Sequence, residues 1–364
     1  MAGGKNCGGT DDGTECFCQC CCAHKGGTCK WSPPPPPSPM SLQAQVERYI
    51  SAVSANWGDV GIGVGFADGV ADFGVGVGSI GSTSARGGAP FTANDTVVLG
   101  SGTKPFVAAM VMRLVDQGKV ALGDKAAVHI DPVMRRLWNT TFAGLLGSPS
   151  AGVTVGHLLR MESGLADMDV EVYENWVLLN ESLRQPQHDP LEDLTFVAGL
   201  NPAGASHICS AAEGKCTWLF APGSHRMYTS TNFLLAGLVA LAHAPPGEDT
   251  WKTLNPATLL DPGGSPAAFG AAFPHTTFPG VGALNTVGLS SVGSCASAAS
   301  PGSNVTRIFR QDASIMGWCY GNTVSSANDV ARFYYQLLGT DAIISRESRA
   351  VMQEFQEIDV GWGQ

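Results

Sequence analysis

Charge is scarce in this chain of 364 residues: only 14% are Asp, Glu, Lys or Arg, and 31 acidic residues outnumber 21 basic ones. The net charge of -10, the isoelectric point near 5.2 and the lack of any Lys/Arg stretch leave no footprint for a phosphate backbone, so nucleic acid is not an expected partner. Long apolar runs are also missing. The longest, Phe233 to Ala244, falls short of the roughly 20 residues a membrane helix needs and reads as a buried helix, so no membrane span is expected. Met1 is followed by polar, glycine-rich residues, not by the apolar core of a signal peptide. No Gly-x-Ser-x-Gly elbow occurs, which leaves a Ser-His-Asp triad unsupported. His129, His188, His207, His225, His243 and His275 have neither ligand spacing nor a recognisable partner, so none of them is expected to hold a metal, and no cofactor is expected.

What is present is apolar and unevenly distributed. A hydrophobic content of 44% over this length allows one large or two ordinary domains with a substantial core. Seven of the 11 cysteines (Cys7, Cys16, Cys18, Cys20, Cys21, Cys22 and Cys29) crowd into the first thirty residues. Bridges between adjacent cysteines are strained, so two readings of this segment stand: a disulfide-stapled module with partners at Cys7 and Cys29, or a thiolate cluster with His24 as an extra ligand. Residues 32 to 40, Ser-Pro-Pro-Pro-Pro-Pro-Ser-Pro-Met, form a stiff polyproline II spacer. The expected organisation is therefore a Cys-rich module (1–31) suited to contact with an extracellular matrix, a linker (32–40), and a main domain (41–364). Later cysteines lie in loop-like stretches, where Cys209 with Cys216 and Cys295 with Cys319 could close loops, with cross-pairing as an alternative. With sequons at Asn94, Asn139, Asn180 and Asn304, they point to an extracellular or secretory setting.

In the main domain, Val46 to Val53 reads as a helix. Val60-Gly61-Ile62-Gly63-Val64-Gly65-Phe66 and Phe73-Gly74-Val75-Gly76-Val77-Gly78 alternate with period two around an Ala67-Asp68-Gly69 turn, which predicts a hairpin with something packed close to its glycine face. Val107, Met110, Val111, Leu114 and Val115 then share one face of a helix that stops at Gly118 and tolerates Pro105 only in its first turn. Ser101 and Lys104 stand at its head. Three residues apart, they place an amine within reach of a hydroxyl at the positive end of the helix dipole. Taken alone this spacing is weak, since a serine there is usually an N-cap and the lysine a solvated charge. Helices are also predicted over Thr154 to Met161 and Thr231 to His243, and on Val330, Phe333, Tyr334, Leu337 and Leu338, the last behind a Ser326/Asp329 capping box. Residues 245 to 305 read as loop with short elements.

Several segments, in this order, resemble the serine β-lactamase and penicillin-binding-protein family, on the side of class C enzymes, D-aminopeptidases and β-lactamase-like esterases. They are Asp95-Thr96 through Gly100-Ser101-Gly102-Thr103-Lys104-Pro105-Phe106 to Gly123-Asp124; Thr154-Val155-Gly156-His157-Leu158-Leu159 with Glu162-Ser163-Gly164-Leu165; Ala221-Pro222-Gly223 with Tyr228-Thr229-Ser230-Thr231-Asn232-Phe233; and Ser325 to Phe333. The resemblance implies an α+β, β-lactamase/transpeptidase-like fold, an antiparallel sheet flanked by helices plus a helical region. It also implies a serine hydrolase: Ser101 attacks an ester or amide carbonyl to form an acyl-enzyme, and Lys104 and Tyr228 share the proton work. Desolvation would lower the lysine pKa and a nearby ammonium that of the phenol, so either could be the base.

Departures from the family pattern matter. Ser230 stands where the family usually has asparagine, which reduces a two-ended amide for holding substrate to one hydroxyl; an extended segment would point Ser230 and Tyr228 to the same side. Asn232 falls on the other register or inside the helix, His157 is expected to be structural, and Glu162, where threonine is common, has no assigned role. No Lys-Thr-Gly or His-x-Gly triplet follows Tyr228, and Val360-Gly361-Trp362-Gly363-Gln364 resembles only the approach to that region, so the C-terminal strands of the sheet are expected to be missing. The alternative function is accordingly a catalytically inactive binding or scaffold protein on the same fold.

Overall fold

The structure is a computed structural model and describes residues 40–57, 61–78, 90–167, 189–200, 217–278 and 317–358. The Cys-rich segment, residues 32–39 of the proline linker, Cys209, Cys216, Cys295, the sequons at Asn180 and Asn304, and Val360 to Gln364 lie outside the described residues.

Helix α1 (Leu42–Trp57) leads into strands β1 (Ile62–Ala67) and β2 (Asp72–Val77). The strands pair antiparallel in the expected hairpin, with Gly63 opposite Gly76 and Gly65 opposite Gly74. Asp68 closes the turn: its Oδ1 accepts the N–H groups of Val70 and Ala71 at 2.9 and 2.7 Å, and Gly69 takes the left-handed φ of 84° that a side chain resists. The glycine face is covered by backbone. A Cβ at Gly65 would lie 2.0 Å from the Ala327 carbonyl oxygen, and one at Gly76 would lie 2.1 Å from the Thr92 carbonyl carbon. Glycine therefore alternates because helix α10 (Ala327–Gly339) begins directly against the sheet. A second antiparallel pair, β3 (Val97–Val98) with β4 (Val324–Ser325), joins the segment before Ser101 to the segment before α10.

The main core gathers around two helices. Helix α2 (Lys104–Asp116) has Pro105 in its first turn and ends before Gly118, whose φ is 65°. Its apolar face is wider than the five expected residues, because Phe106, Ala109 and Met112 are buried as well. Between α2 and the later core helix come α3 (Ala126–Trp138), α4 (Phe142–Leu146), α5 (Val155–Leu159) and α6 (Pro190–Val197). Helix α7 (Ser230–Leu241) then packs on α2 with all 12 of its residues buried, which is why its sequence shows no polar face. Short helices α8 (Pro256–Leu260) and α9 (Pro266–Ala272) follow, and α11 (Arg346–Met352) comes after α10. Phe106, Phe278 and Phe333 link α2 and α10 through ring contacts, Phe106 stacking on Phe333 with centroids 3.8 Å apart. Among the described residues, no helix is long and apolar enough to cross a membrane. The architecture is the expected α+β one, helices with small antiparallel sheets.

Two local expectations need correction. The Ser326/Asp329 capping box is only half formed: Ser326 Oγ accepts the Asp329 N–H at 3.2 Å, while the Asp329 carboxylate turns to the His275 N–H at 2.7 Å and Thr276 Oγ1 at 3.2 Å. Cys319 is a free, buried thiol. It lies against α7, where a Cβ at Gly237 would meet its Sγ at 2.6 Å, and burial pushes the thiol far above its ordinary range.

Candidate active site

Ser101 sits in a 3-10 turn, Gly100–Thr103, and Lys104 is the first residue of α2. The turn is held from the far end of the chain. Leu99 N–H donates to the Thr323 carbonyl at 2.8 Å and Thr323 N–H donates to Thr103 Oγ1 at 2.9 Å, so the β3–β4 pair continues up to the serine. Gly100 makes the bend with φ of 54°.

Lys104 Nζ donates to Ser101 Oγ at 2.9 Å and to the backbone carbonyl of Tyr320 at 3.2 Å. Tyr228 Oη donates to the same Ser101 Oγ at 2.5 Å. The amine lies 4.8 Å from the centre of the Tyr228 ring and 5.8 Å from that of Tyr320. Ser101 remains exposed, whereas only 5% of Lys104 is accessible. Burial penalises the ammonium and brings the lysine pKa from 10.5 down to about 8, the negative charge of Asp167 opposing part of that fall. Tyr228 moves the other way. Burial raises its pKa, the hydrogen bond to Ser101 lowers it, and Asp167 raises it again, so the phenol keeps its proton more firmly than expected from a neighbouring ammonium.

Tyr228 arrives on a segment laced to the Ser163-Gly164-Leu165 loop. Gly223 N–H donates to the Glu162 carbonyl at 2.8 Å, Met227 N–H to the Met161 carbonyl at 3.0 Å, and Leu219 N–H to the Gly164 carbonyl at 2.7 Å. Glu162 meets Arg226 at 2.6 Å, two residues before Tyr228, so this acid pairs with the segment that carries the phenol. His157 is structural as expected: its backbone N–H donates to Thr154 Oγ1, and its Nδ1 accepts the Thr154 N–H, a reciprocal cap on α5.

The structure brings Ser101, Lys104 and Tyr228 together. The extended run ends at Thr229, and Ser230 is the first residue of α7, with its N–H donated to Asp167 Oδ1 at 2.9 Å. Among the described residues, the hydrogen bonds at Ser101 Oγ come from Lys104 and Tyr228, not from Ser230. Asn232 is committed within its helix turn, its Nδ2 donating to Thr229 Oγ1 at 2.6 Å. Two contributors escaped the sequence reading. Asp167 is an acid two residues beyond a Ser-Gly-Leu loop, and only its burial beside an amine marks it; Tyr320 acts through a backbone carbonyl, which no residue type signals. His129 and His243, expected to lack partners, share a hydrogen bond of 3.0 Å, and Asp124 accepts from the other ring nitrogen of His129 at 3.1 Å. Among the described residues no group of three or more His, Cys, Asp or Glu could hold a metal ion.

A family model described as Beta-lactamase matches residues 52–359. Among solved structures, the chain is similar to a D-stereospecific amidohydrolase from Streptomyces sp., with 19% identity and a TM-score of 0.54 over 88% of this chain and 79% of that one. It is also similar to the D-amino acid amidase from Ochrobactrum anthropi SV3 complexed with L-phenylalanine amide, with 16% identity and a TM-score of 0.53 over 84% of this chain and 73% of that one. The octameric penicillin-binding protein homologue from Pyrococcus abyssi gives 19% identity and a TM-score of 0.53, covering 88% of this chain but 61% of that one. At such identities the likeness is one of fold.

Proposed function

Because the chain belongs to the beta-lactamase family, we propose that it is a serine hydrolase that cleaves a small-molecule ester or amide through an acyl-enzyme on Ser101. The observation that carries this reading is the convergence of a buried amine and a phenol on one exposed serine hydroxyl, 2.9 and 2.5 Å away. Lys104, with its pKa near about 8, is the proton acceptor: in its neutral form Nζ takes the Ser101 proton as Oγ attacks the carbonyl carbon. Negative charge then develops on the carbonyl oxygen at the positive end of α2. As the ester or amide bond breaks, the proton returns to the leaving oxygen or nitrogen, and Tyr228 Oη, already on Ser101 Oγ, is the relay nearest that path. Water or another nucleophile then releases the acyl group. The names of two structural relatives, an amidohydrolase and an amidase, favour amides within this class.

The test is covalent labelling of the full chain with a fluorophosphonate probe, followed by peptide mapping. An adduct on Ser101 that disappears in Ser101→Ala is the expected result. A folded protein that takes no label on Ser101 overturns the hydrolase reading and leaves the binding or scaffold alternative.

A further inference from the structure

Tyr320 is fastened at both ends. Its carbonyl accepts from Lys104 Nζ at 3.2 Å, and its hydroxyl donates to Asp193 Oδ2 on α6 at 3.0 Å. Tyr320 is 7% accessible and Asp193 not at all, so this second bond is made away from bulk water, where a hydroxyl on a carboxylate is strong and directional. Asp193 has no step in the chemistry above. The turn that carries Tyr320 is held in a form the chain resists. Cys319 has φ of 66°, the left-handed region that a residue with a side chain adopts at a cost, and its N–H donates to Asn322 Oδ1 at 3.2 Å. A Cβ at Gly317 would lie 1.8 Å from Tyr320 Cε2, so the ring lies directly on the Gly317 backbone. With the ring clamped between that backbone and Asp193, the Tyr320 carbonyl is held toward the amine. This contact decides which way the amine faces. A carbonyl only accepts, so in the free-base form of Lys104 one N–H is committed to Tyr320 and the lone pair can turn to Ser101 Oγ, 2.9 Å away.

We propose that Asp193 is a positioning residue: through the Tyr320 hydroxyl it locks the turn of residues 317–323 with its carbonyl on Lys104, and so aims the lone pair of the free amine at the Ser101 proton. The proposal rests on the acyl-enzyme reading of Ser101. Tyr320→Phe is informative because it keeps the ring and the carbonyl and removes only the hydroxyl, and Asp193→Asn because its amide oxygen still accepts from the phenol.

The experiment follows fluorophosphonate labelling of Ser101 in the full chain against probe concentration, which separates the limiting rate constant from the half-saturating concentration. Protein that fails to fold lowers the labelled amount and neither constant. Tyr320→Phe is expected to lower the limiting rate constant about tenfold with the half-saturating concentration unchanged. Asp193→Leu should do the same, and the double variant should be no slower than either, because each removes the same bond. Asp193→Asn should recover most of the loss seen in Asp193→Leu, to within about threefold of the native rate constant. The double variant leaves neither the phenol nor the carboxylate buried without its partner, so it gives the reading if a single variant does not fold. Crystal structures supply a measurement independent of activity: Lys104 Nζ and the Tyr320 carbonyl 3.2 Å apart in the native protein, and beyond hydrogen-bond reach in the double variant. A native limiting rate constant in Tyr320→Phe or in the double variant, losses that multiply in the double variant, an Asn variant as slow as the Leu variant, or a carbonyl still on the amine in the double variant overturns the proposal. A carbonyl displaced as described, in a protein whose native form takes no label on Ser101, upholds the anchor and refutes the hydrolase reading.

Discussion

The burial of Lys104 has a quantitative consequence for how Ser101 reacts. An ordinary lysine with a pKa of 10.5 is free base in about one molecule in 3000 at pH 7, whereas a pKa of about 8 gives about one in ten, roughly a 300-fold gain. The perturbation is pH itself, and the assay is the second-order rate of Ser101 labelling by a fluorophosphonate between pH 5 and 10. The rate is expected to rise about tenfold per pH unit up to about 7.5 and to level off above the lysine midpoint near about 8. Lys104→Arg, which cannot lose its proton in this range, should flatten the profile and reduce the rate by about a hundredfold to ten-thousandfold. The same burial appears in stability. The folded pKa lies below the unfolded one, so the unfolded chain binds more proton between pH 8 and 10.5 and stability rises with pH across that window, by up to about 3 kcal/mol from this group. A labelling rate independent of pH from 6 to 9, or one that climbs with an unshifted midpoint near 10.5, would refute the assignment of Lys104 as proton acceptor.

Other consequences can be checked separately. Gly65→Ala forces a Cβ to within 2.0 Å of the Ala327 carbonyl oxygen and should destabilise by about 2 kcal/mol or more, whereas Gly63→Ala meets the Phe91 ring at 3.1 Å and should be milder; equal melting temperatures for the two variants would contradict the packing of α10 on the sheet. His243, whose pKa is lowered by burial and by His129, is neutral in the fold when the unfolded chain begins to protonate, so stability is full above pH 6.5 and falls as the pH drops from there through the folded value. His157 shares that direction, so the reading is the difference: His243→Gln should lose less stability than the native protein between pH 7 and 5, measured by thermal unfolding. Asn94 and Asn139 are exposed sequon residues, and Asn139 caps α3 with a φ of 52°. Expression through a secretory pathway should give glycans at both, removed by Asn94→Gln and Asn139→Gln; an unshifted mass after deglycosylation would remove this support for an extracellular setting.

The parts of this protein that could be read from residues alone are those in which neighbours in the chain are also neighbours in space. The Ser101–Lys104 distance is set by three residues of a helical head, Pro105 fits only there, and the glycine alternation of β1 and β2 announces a close-packed face, each through local geometry. Helix α3 was harder to see because Pro132 lies inside it, and the β3–β4 pair is two residues long. The start of α7 at Ser230, one residue before its apolar pattern, was hidden for a related reason: it is set by the Asp167 carboxylate that receives the Ser230 N–H. Chemistry depends on more distant partners. Tyr228 is 127 positions from Ser101 and the Tyr320 carbonyl 216 positions from Lys104, and the lowered pKa of the amine follows from its burial, which the charge of Asp167 partly opposes. Residue identity sets which groups can donate, accept or attack; desolvation and the placement of charge, which decide the direction of each proton, exist only once the chain has packed.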